Sequence, residues 1–209
     1  MNYLAHLVLS GDDTDLMLGN FIGDAVKGSP ESQYPTAIAR GIRLHRWIDS
    51  TADGHPLTQE ARAALRPVLG RFSGVGVDLL YDHFLARQFE KATKGKALDA
   101  FATWAHSELM PRQAEMPLRS QRFFQAMVAH DWLIGYASRP GMLAVCRAMD
   151  TRLEARLHTP SPLHRLFEAA DAAGTPRLES DFLVFWEEIS ADRDALEWAY
   201  ATGETLAQN

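Results

Sequence analysis

Apolar residues recur at three- and four-residue steps almost from end to end, and no stretch alternates strictly as a half-buried strand would. The spacing predicts a first helix over about 1–9, with Tyr3, Leu4, Leu7 and Val8 on one side. Asp12 or Asp13 is the expected cap of a second helix reaching about Lys27, closed by Gly28 and Pro30. A third is predicted from about Pro35 to Ala52, and others near 57–69, 76–93, 96–109, 118–137, 139–157, 161–172 and 178–206. In 76–93, Val77, Leu80, Tyr81, Phe84 and Leu85 form an amphipathic stripe. Prolines 67, 111, 117, 140, 160, 162 and 176 fall at breaks or first-turn positions. No fixed-period repeat or low-complexity linker interrupts the pattern. With 209 residues, 46% of them apolar, the reading is one all-helical domain spanning 1–209.

Polar residues interrupt this pattern at a regular step. Residues four apart stack on one helix face, and Asn2 with His6, Asn20 with Asp24, and His45 with Asp49 all have that spacing, with Asp53 and His55 following. Asp82 and His83 are adjacent on an otherwise apolar helix. Each has a plain explanation. Asn2 and Asn20 can bond helix-end backbone, His6 can be a packed histidine, Asp49 and Asp53 can pair with Arg43 or Arg46, and Asp82 with Arg87. Taken together, these explanations bury several unrelated polar groups on apolar helices, at a few kcal/mol for each that lacks a partner. A shared site is the better reading. Carboxylates with imidazoles suit Mn²⁺, Mg²⁺, Fe²⁺ or Zn²⁺, leaning to Mn²⁺ or Mg²⁺ for a phosphate substrate. Lys27 and Arg46 lie beside these carboxylates in sequence and are suited to phosphate oxygens.

Composition narrows the classes. The one cysteine, Cys146, rules out an intrachain disulfide framework and a thiolate-rich zinc site, and it fits a reducing cytoplasm. Its neighbours Leu143 and Val145 make it a core thiol. A net charge of −6 argues against general nucleic-acid binding. No run of about 18 apolar residues is present to span a bilayer, and the start MNYLAHLVLSG lacks the basic region of a signal peptide. Gly74-Val75-Gly76 and Gly95-Lys96 are incomplete nucleotide-binding fingerprints, and no Gly-x-Ser-x-Gly elbow occurs. His130-Asp131 sits among apolar residues and reads as packing. The segment DFLVFWEEI is apolar enough to pack on a partner chain, and oligomeric state is left open.

MNYLAHL at the start, LGNFIGDAVKG at 18–28, GIRLHRWID at 41–49, TADGHP at 51–56 and YDHFLA at 81–86 resemble the acyl carrier protein phosphodiesterase family. The resemblance implies an all-helical fold distantly akin to the HD-type metal-dependent phosphohydrolases. It implies hydrolysis of the phosphodiester that joins 4′-phosphopantetheine to a serine of holo-acyl carrier protein, with Mn²⁺ as cofactor and Mg²⁺ as second choice. In that light Asp24, His45, Asp49 and His83 are the foremost candidate ligands, and His6 and Asp82 follow. Arg46 would neutralise phosphoryl charge, and His55 is a candidate general acid. Asn20, Lys27, Arg43 and Asp53 would contact substrate. Because carrier proteins are acidic, Arg40, Arg43, Arg46, Arg62 and Arg66 are expected to rim the entrance. The order Asp82-His83 reverses the His-Asp doublet of HD enzymes, so their ligand assignments do not transfer directly. The rival reading is an HD-like phosphohydrolase acting on a nucleotide or other small phosphoester.

Overall fold

The first helix, α1 (Tyr3–Leu9), has no capping side chain of its own. Its exposed N–H groups are met by a residue far along the chain. The Asp82 carboxylate accepts from Leu4 N at 2.8 Å and from Ala5 N at 3.1 Å. A carboxylate at a helix N-terminus satisfies unpaired donors and the macrodipole together, so this tie fixes where α1, and with it His6, sits. The structure is a computed structural model that describes the backbone of residues 1–202 and the side chains of residues 1–196.

The helices that follow are α2 (Thr14–Ile22), α3 (Thr36–Gly54), α4 (Pro56–Leu69), α5 (Ser73–Arg87), α6 (Phe89–Ala92), α7 (Leu98–Leu109), α8 (Leu118–Ala129), α9 (Trp132–Gly135), α10 (Arg139–Leu157), α11 (Leu166–Ala173) and α12 (Thr175–Thr202). No strand occurs among the described residues, and the fold is all-α. Asp13 caps α2 through the N–H groups of Asp15 and Leu16. That helix stops at Ile22 rather than near Lys27, because Gly23–Ala25 tightens into a 3₁₀ turn. The stretch read as 76–93 starts at Ser73 and breaks at Gln88, leaving α6 as a separate turn. The stretch read as 118–137 divides where Asp131 adopts left-handed φ of +47°. Positions 203–206 of the last expected helix lie outside the described residues.

Two glycines set the closest helix contact. A Cβ on Gly19 would lie 2.1 Å from the Ile38 carbonyl oxygen, and one on Gly41 would lie 2.2 Å from that of Leu16. Only glycine lets α2 and α3 approach this closely. The two helices run in the same sense, so Gly19 meets Gly41 and, four residues on, Gly23 meets His45. The four-residue steps of both helices therefore coincide in space.

The core is continuous and draws on nearly every helix, with Phe21, Phe84, Phe124 and Tyr136 wholly enclosed. DFLVFWEEI joins it: Phe182, Phe185, Trp186 and Ile189 are buried in the chain's own interior, and Val184 stays exposed. No helix among the described residues is long and apolar enough to cross a membrane.

Candidate metal centre

The α1–α2–α3 packing brings His6, His45 and Asp49 together. One ligand atom from each lies within 4.8 Å of the others. His6 Nε2 is 3.2 Å from Asp49 Oδ1, and His45 Nε2 is 3.2 Å from Asp49 Oδ2 and 3.5 Å from Asp24 Oδ1. The two imidazoles stack with centroids 4.2 Å apart. Gly23 makes room for this arrangement, since a Cβ there would fall 2.3–2.6 Å from His45 Cγ, Cβ and Cδ2.

Asn20 decides which nitrogen of His6 faces the centre. Its Oδ1, an acceptor only, is 2.8 Å from His6 Nδ1, so that nitrogen carries the proton. Its Nδ2 donates to the His6 carbonyl at 2.7 Å and to Ser10 Oγ at 2.9 Å, which locks the amide orientation. Asn20, for which the sequence reading expected a substrate contact, is fully buried and spends its amide on His6 and Ser10, so its role in this structure is to position His6. Burial holds the His6 imidazole below its ordinary pKa, so it is neutral and its Nε2 lone pair points at a carboxylate. Two acceptors face one another there, an arrangement that a cation resolves.

His45 gives the same indication. Both of its ring nitrogens are buried without a hydrogen bond, since the approaches to Asp24 and Asp49 lack hydrogen-bond geometry. Burial works against its charged form, yet the two carboxylates carry its pKa up to about 9. Burial likewise opposes ionisation of Asp49, but His45, first, and the Met1 α-amino group keep it well below the carboxylate range. That amino group lies 3.3 Å from Asp49 and 3.1 Å from Asp78. Asp24 stays ionised chiefly through His45, and 64% of its side chain is exposed toward an adjoining cavity. His45, orphaned at both ring nitrogens beside two carboxylates, and His6 facing Asp49 make a donor set that fits a divalent metal ion.

Other expected site residues lie elsewhere, and the helix geometry explains why. Adjacent helical residues do not share a face, so Asp82 turns to α1 and His83 turns away from it. His83 Nδ1 donates to the Tyr136 carbonyl at 2.6 Å, with its ring against Phe167. Neither joins the cluster of His6, His45 and Asp49. His55 caps α4 and pairs with Glu188 on α12 at 2.8 Å. Asp53 pairs with Arg62 at 2.5 Å, and Arg43 pairs with Glu31. Arg46 donates to the carbonyls of Val26 and Gly28, bracing the loop after α2, and the exposed Lys27 lies in that loop. The expected basic rim is thus largely occupied by the protein's own acceptors.

The arginines that do line the cavity beside Asp24 are Arg119 on α8 and Arg152 and Arg156 on α10. The sequence reading passed over them. Their signal was present as like charges at helical spacing, Arg119 with Arg122 and Arg152 with Arg156, which disfavours a helix by a few tenths of a kcal/mol unless an anion compensates.

The site and fold define an all-helical protein with an aspartate–histidine cluster beside an open cavity. The model of the family described as acyl carrier protein phosphodiesterase matches residues 1–189. A Yersinia pestis protein of that name is 36% identical over 152 residues, covering 73% of this chain and 79% of the relative. A Pectobacterium atrosepticum protein of the same name is 35% identical over 152 residues, covering 73% and 79%. One from Klebsiella pneumoniae is 30% identical over 192 residues, covering 90% and 95%. No solved structure matches significantly. The chain belongs to the acyl carrier protein phosphodiesterase family.

Proposed function

We propose that this protein hydrolyses the phosphodiester of holo-acyl carrier protein, releasing 4′-phosphopantetheine and apo-carrier protein. The observation that carries the reading is the convergence of His6, His45 and Asp49, with Asp24 at the cavity edge, in a chain of this family. His6, His45 and Asp49 would hold Mn²⁺, or Mg²⁺ in its place, and Asn20 keeps His6 in the ligating tautomer. When bound, such an ion supplies a Lewis acid for the phosphoryl oxygen and lowers the pKa of water. Asp24 accepts the proton of the water that adds to phosphorus. The bond from phosphorus to the serine oxygen breaks, and the proton that Asp24 took from water returns to that oxygen, leaving Asp24 ionised again. The kinship to HD-type enzymes is proposed for architecture and chemistry alone, since this centre uses residues four apart on α3 in place of an adjacent doublet. A cytoplasmic location agrees with the single buried thiol.

The test is the intact mass of holo-acyl carrier protein incubated with the enzyme and Mn²⁺. Loss of one phosphopantetheine is expected, abolished by chelation and by Asp24→Ala. An unchanged carrier protein, with metal bound and a small phosphoester cleaved, would replace this reading with the small-substrate one.

A further inference from the structure

Two hollows lie side by side next to the centre. One, of about 440 Å³, is lined by Asp24, Asn2, Tyr3, Arg119, Tyr136 and Arg152 among others. The other, of about 1050 Å³, is a trough between α8 and α10 whose walls include Leu118, Ala126, Trp132, Ala144 and Ala148. Arg119, Phe123 and Arg152 line both, so they form a junction and the hollows make one path leading outward from Asp24. The smaller one alone is within the size range of small-ligand sites, about 300–1,000 Å³.

Three features of this path call for a ligand. Arg119, Arg122, Arg152 and Arg156 have no ion pair among the described residues, although the chain carries more acidic than basic side chains. Arg43, Arg62, Arg112, Arg139, Arg165 and Arg177 each hold a carboxylate, while Arg46, Arg66, Arg71 and Arg147 also lack one among the described residues but are scattered away from any such cluster of four. Arg152 is braced over the Phe123 ring, 5.3 Å from its centroid, and Phe123 stacks on Tyr3 at 3.9 Å. Burial pushes the Tyr3 hydroxyl up to about 12, with Asp24 adding to the rise and Arg152 and Arg119 opposing it. Finally, the Tyr136 hydroxyl is fully buried at the cavity wall without a hydrogen bond of good geometry, the Asn2 amide beside it. A buried, unpaired hydroxyl costs about 1–3 kcal/mol unless something bonds to it.

We propose that this path seats the substrate's pantetheine arm, with Arg119 and Arg152 gripping its phosphate at the junction and the trough between α8 and α10 taking the chain beyond. The inference rests on the phosphodiesterase reading and adds to it a direction of binding. The chemistry matches along the length. Two unpaired guanidiniums suit a phosphodiester anion. The apolar walls of the trough suit the methyl and methylene groups of the arm. The carrier's serine then lies on the Asp24 side, and the thiol end points out along the trough.

The test compares wild type, Ala144→Trp and Arg152→Gln on two substrates, holo-acyl carrier protein and bis(4-nitrophenyl) phosphate, which has no pantetheine arm. Ala144 is exposed on the trough wall, so a tryptophan there obstructs the path without displacing core, and the melting temperature checks this. Ala144→Trp is expected to lower the ratio of carrier to small-diester kcat/KM at least tenfold and to weaken inhibition by free 4′-phosphopantetheine in parallel. Arg152→Gln is expected to raise KM for both substrates about tenfold. A ratio unchanged by Ala144→Trp, in an enzyme whose wild type strips holo-carrier, overturns the trough assignment and leaves the phosphodiesterase reading standing. A wild type that cleaves the small diester and not the carrier overturns the phosphodiesterase reading, and the assignment with it.

Discussion

Replacing Asn20 with alanine tests the logic of the centre without touching a ligand. The substitution deletes three hydrogen bonds, at 2.8 Å to His6 Nδ1, 2.7 Å to the His6 carbonyl and 2.9 Å to Ser10 Oγ. The His6 carbonyl keeps the Ser10 hydroxyl, which donates to it at 2.9 Å, so neither of those two groups is stranded. His6 Nδ1 is stranded, in a residue 3% exposed. One buried donor left unpaired costs about 1–3 kcal/mol, and two further bonds lost contribute about 0.5–1.5 kcal/mol each. The expected destabilisation is therefore about 3 kcal/mol, a large share of a total near 5–15 kcal/mol. Guanidinium unfolding followed by circular dichroism, with chelator present, measures it as a lower midpoint at constant slope. Freed of Asn20, the His6 ring can turn or take the other tautomer, so Mn²⁺ affinity by calorimetric titration should fall about 10–100-fold. Asn20→Asp keeps an acceptor for Nδ1 but sets an oxygen against the His6 carbonyl. It should recover part of the metal affinity while remaining unstable. A loss under about 1 kcal/mol in Asn20→Ala, together with unchanged Mn²⁺ affinity, would refute the argument that Asn20 fixes His6 for ligation.

Further outcomes follow from neighbouring contacts. Gly23→Ala places a methyl group within 2.6 Å of the His45 ring and should weaken Mn²⁺ binding at least tenfold, whereas Gly19→Ala, meeting backbone at 2.1 Å, should chiefly destabilise the fold by about 1–3 kcal/mol or more; thermal melts and metal titration of both variants separate the two effects. His83→Phe loses the buried bond to Tyr136 O and should cost about 1–3 kcal/mol with metal stoichiometry and affinity retained, and a lost metal in calorimetry would reinstate His83 as a ligand. Cys146 is buried and its thiol is pushed up to about 12, so iodoacetamide at pH 8 should label it only as fast as the chain unfolds, read by mass spectrometry with and without denaturant.

What the sequence determined by itself was the helical class and the list of chemical groups, because both are written in local spacing. Three- and four-residue apolar steps admit helices and no strand, and the step from His45 to Asp49 placed two polar groups on a single face before any packing was known; the matching step from Asn2 to His6 failed, because Asn2 lies outside α1 as its extended N-cap. The Asp13 cap was legible for the same reason, being made within one turn. Which of those groups meet was decided by tertiary structure alone. The glycine contact between α2 and α3 set His45 and Asp49 against Asp24, and the burial of Asn20 turned an expected substrate contact into the residue that orients His6. Asp82 and His83 are neighbours in sequence, yet a helix turns about 100° between them, so one caps α1 and the other bonds to the Tyr136 carbonyl. The arginines beside the centre come from α8 and α10, more than sixty residues from His6, His45 and Asp49. No local pattern states which helix ends beside which; that is fixed only when the apolar faces close on one another.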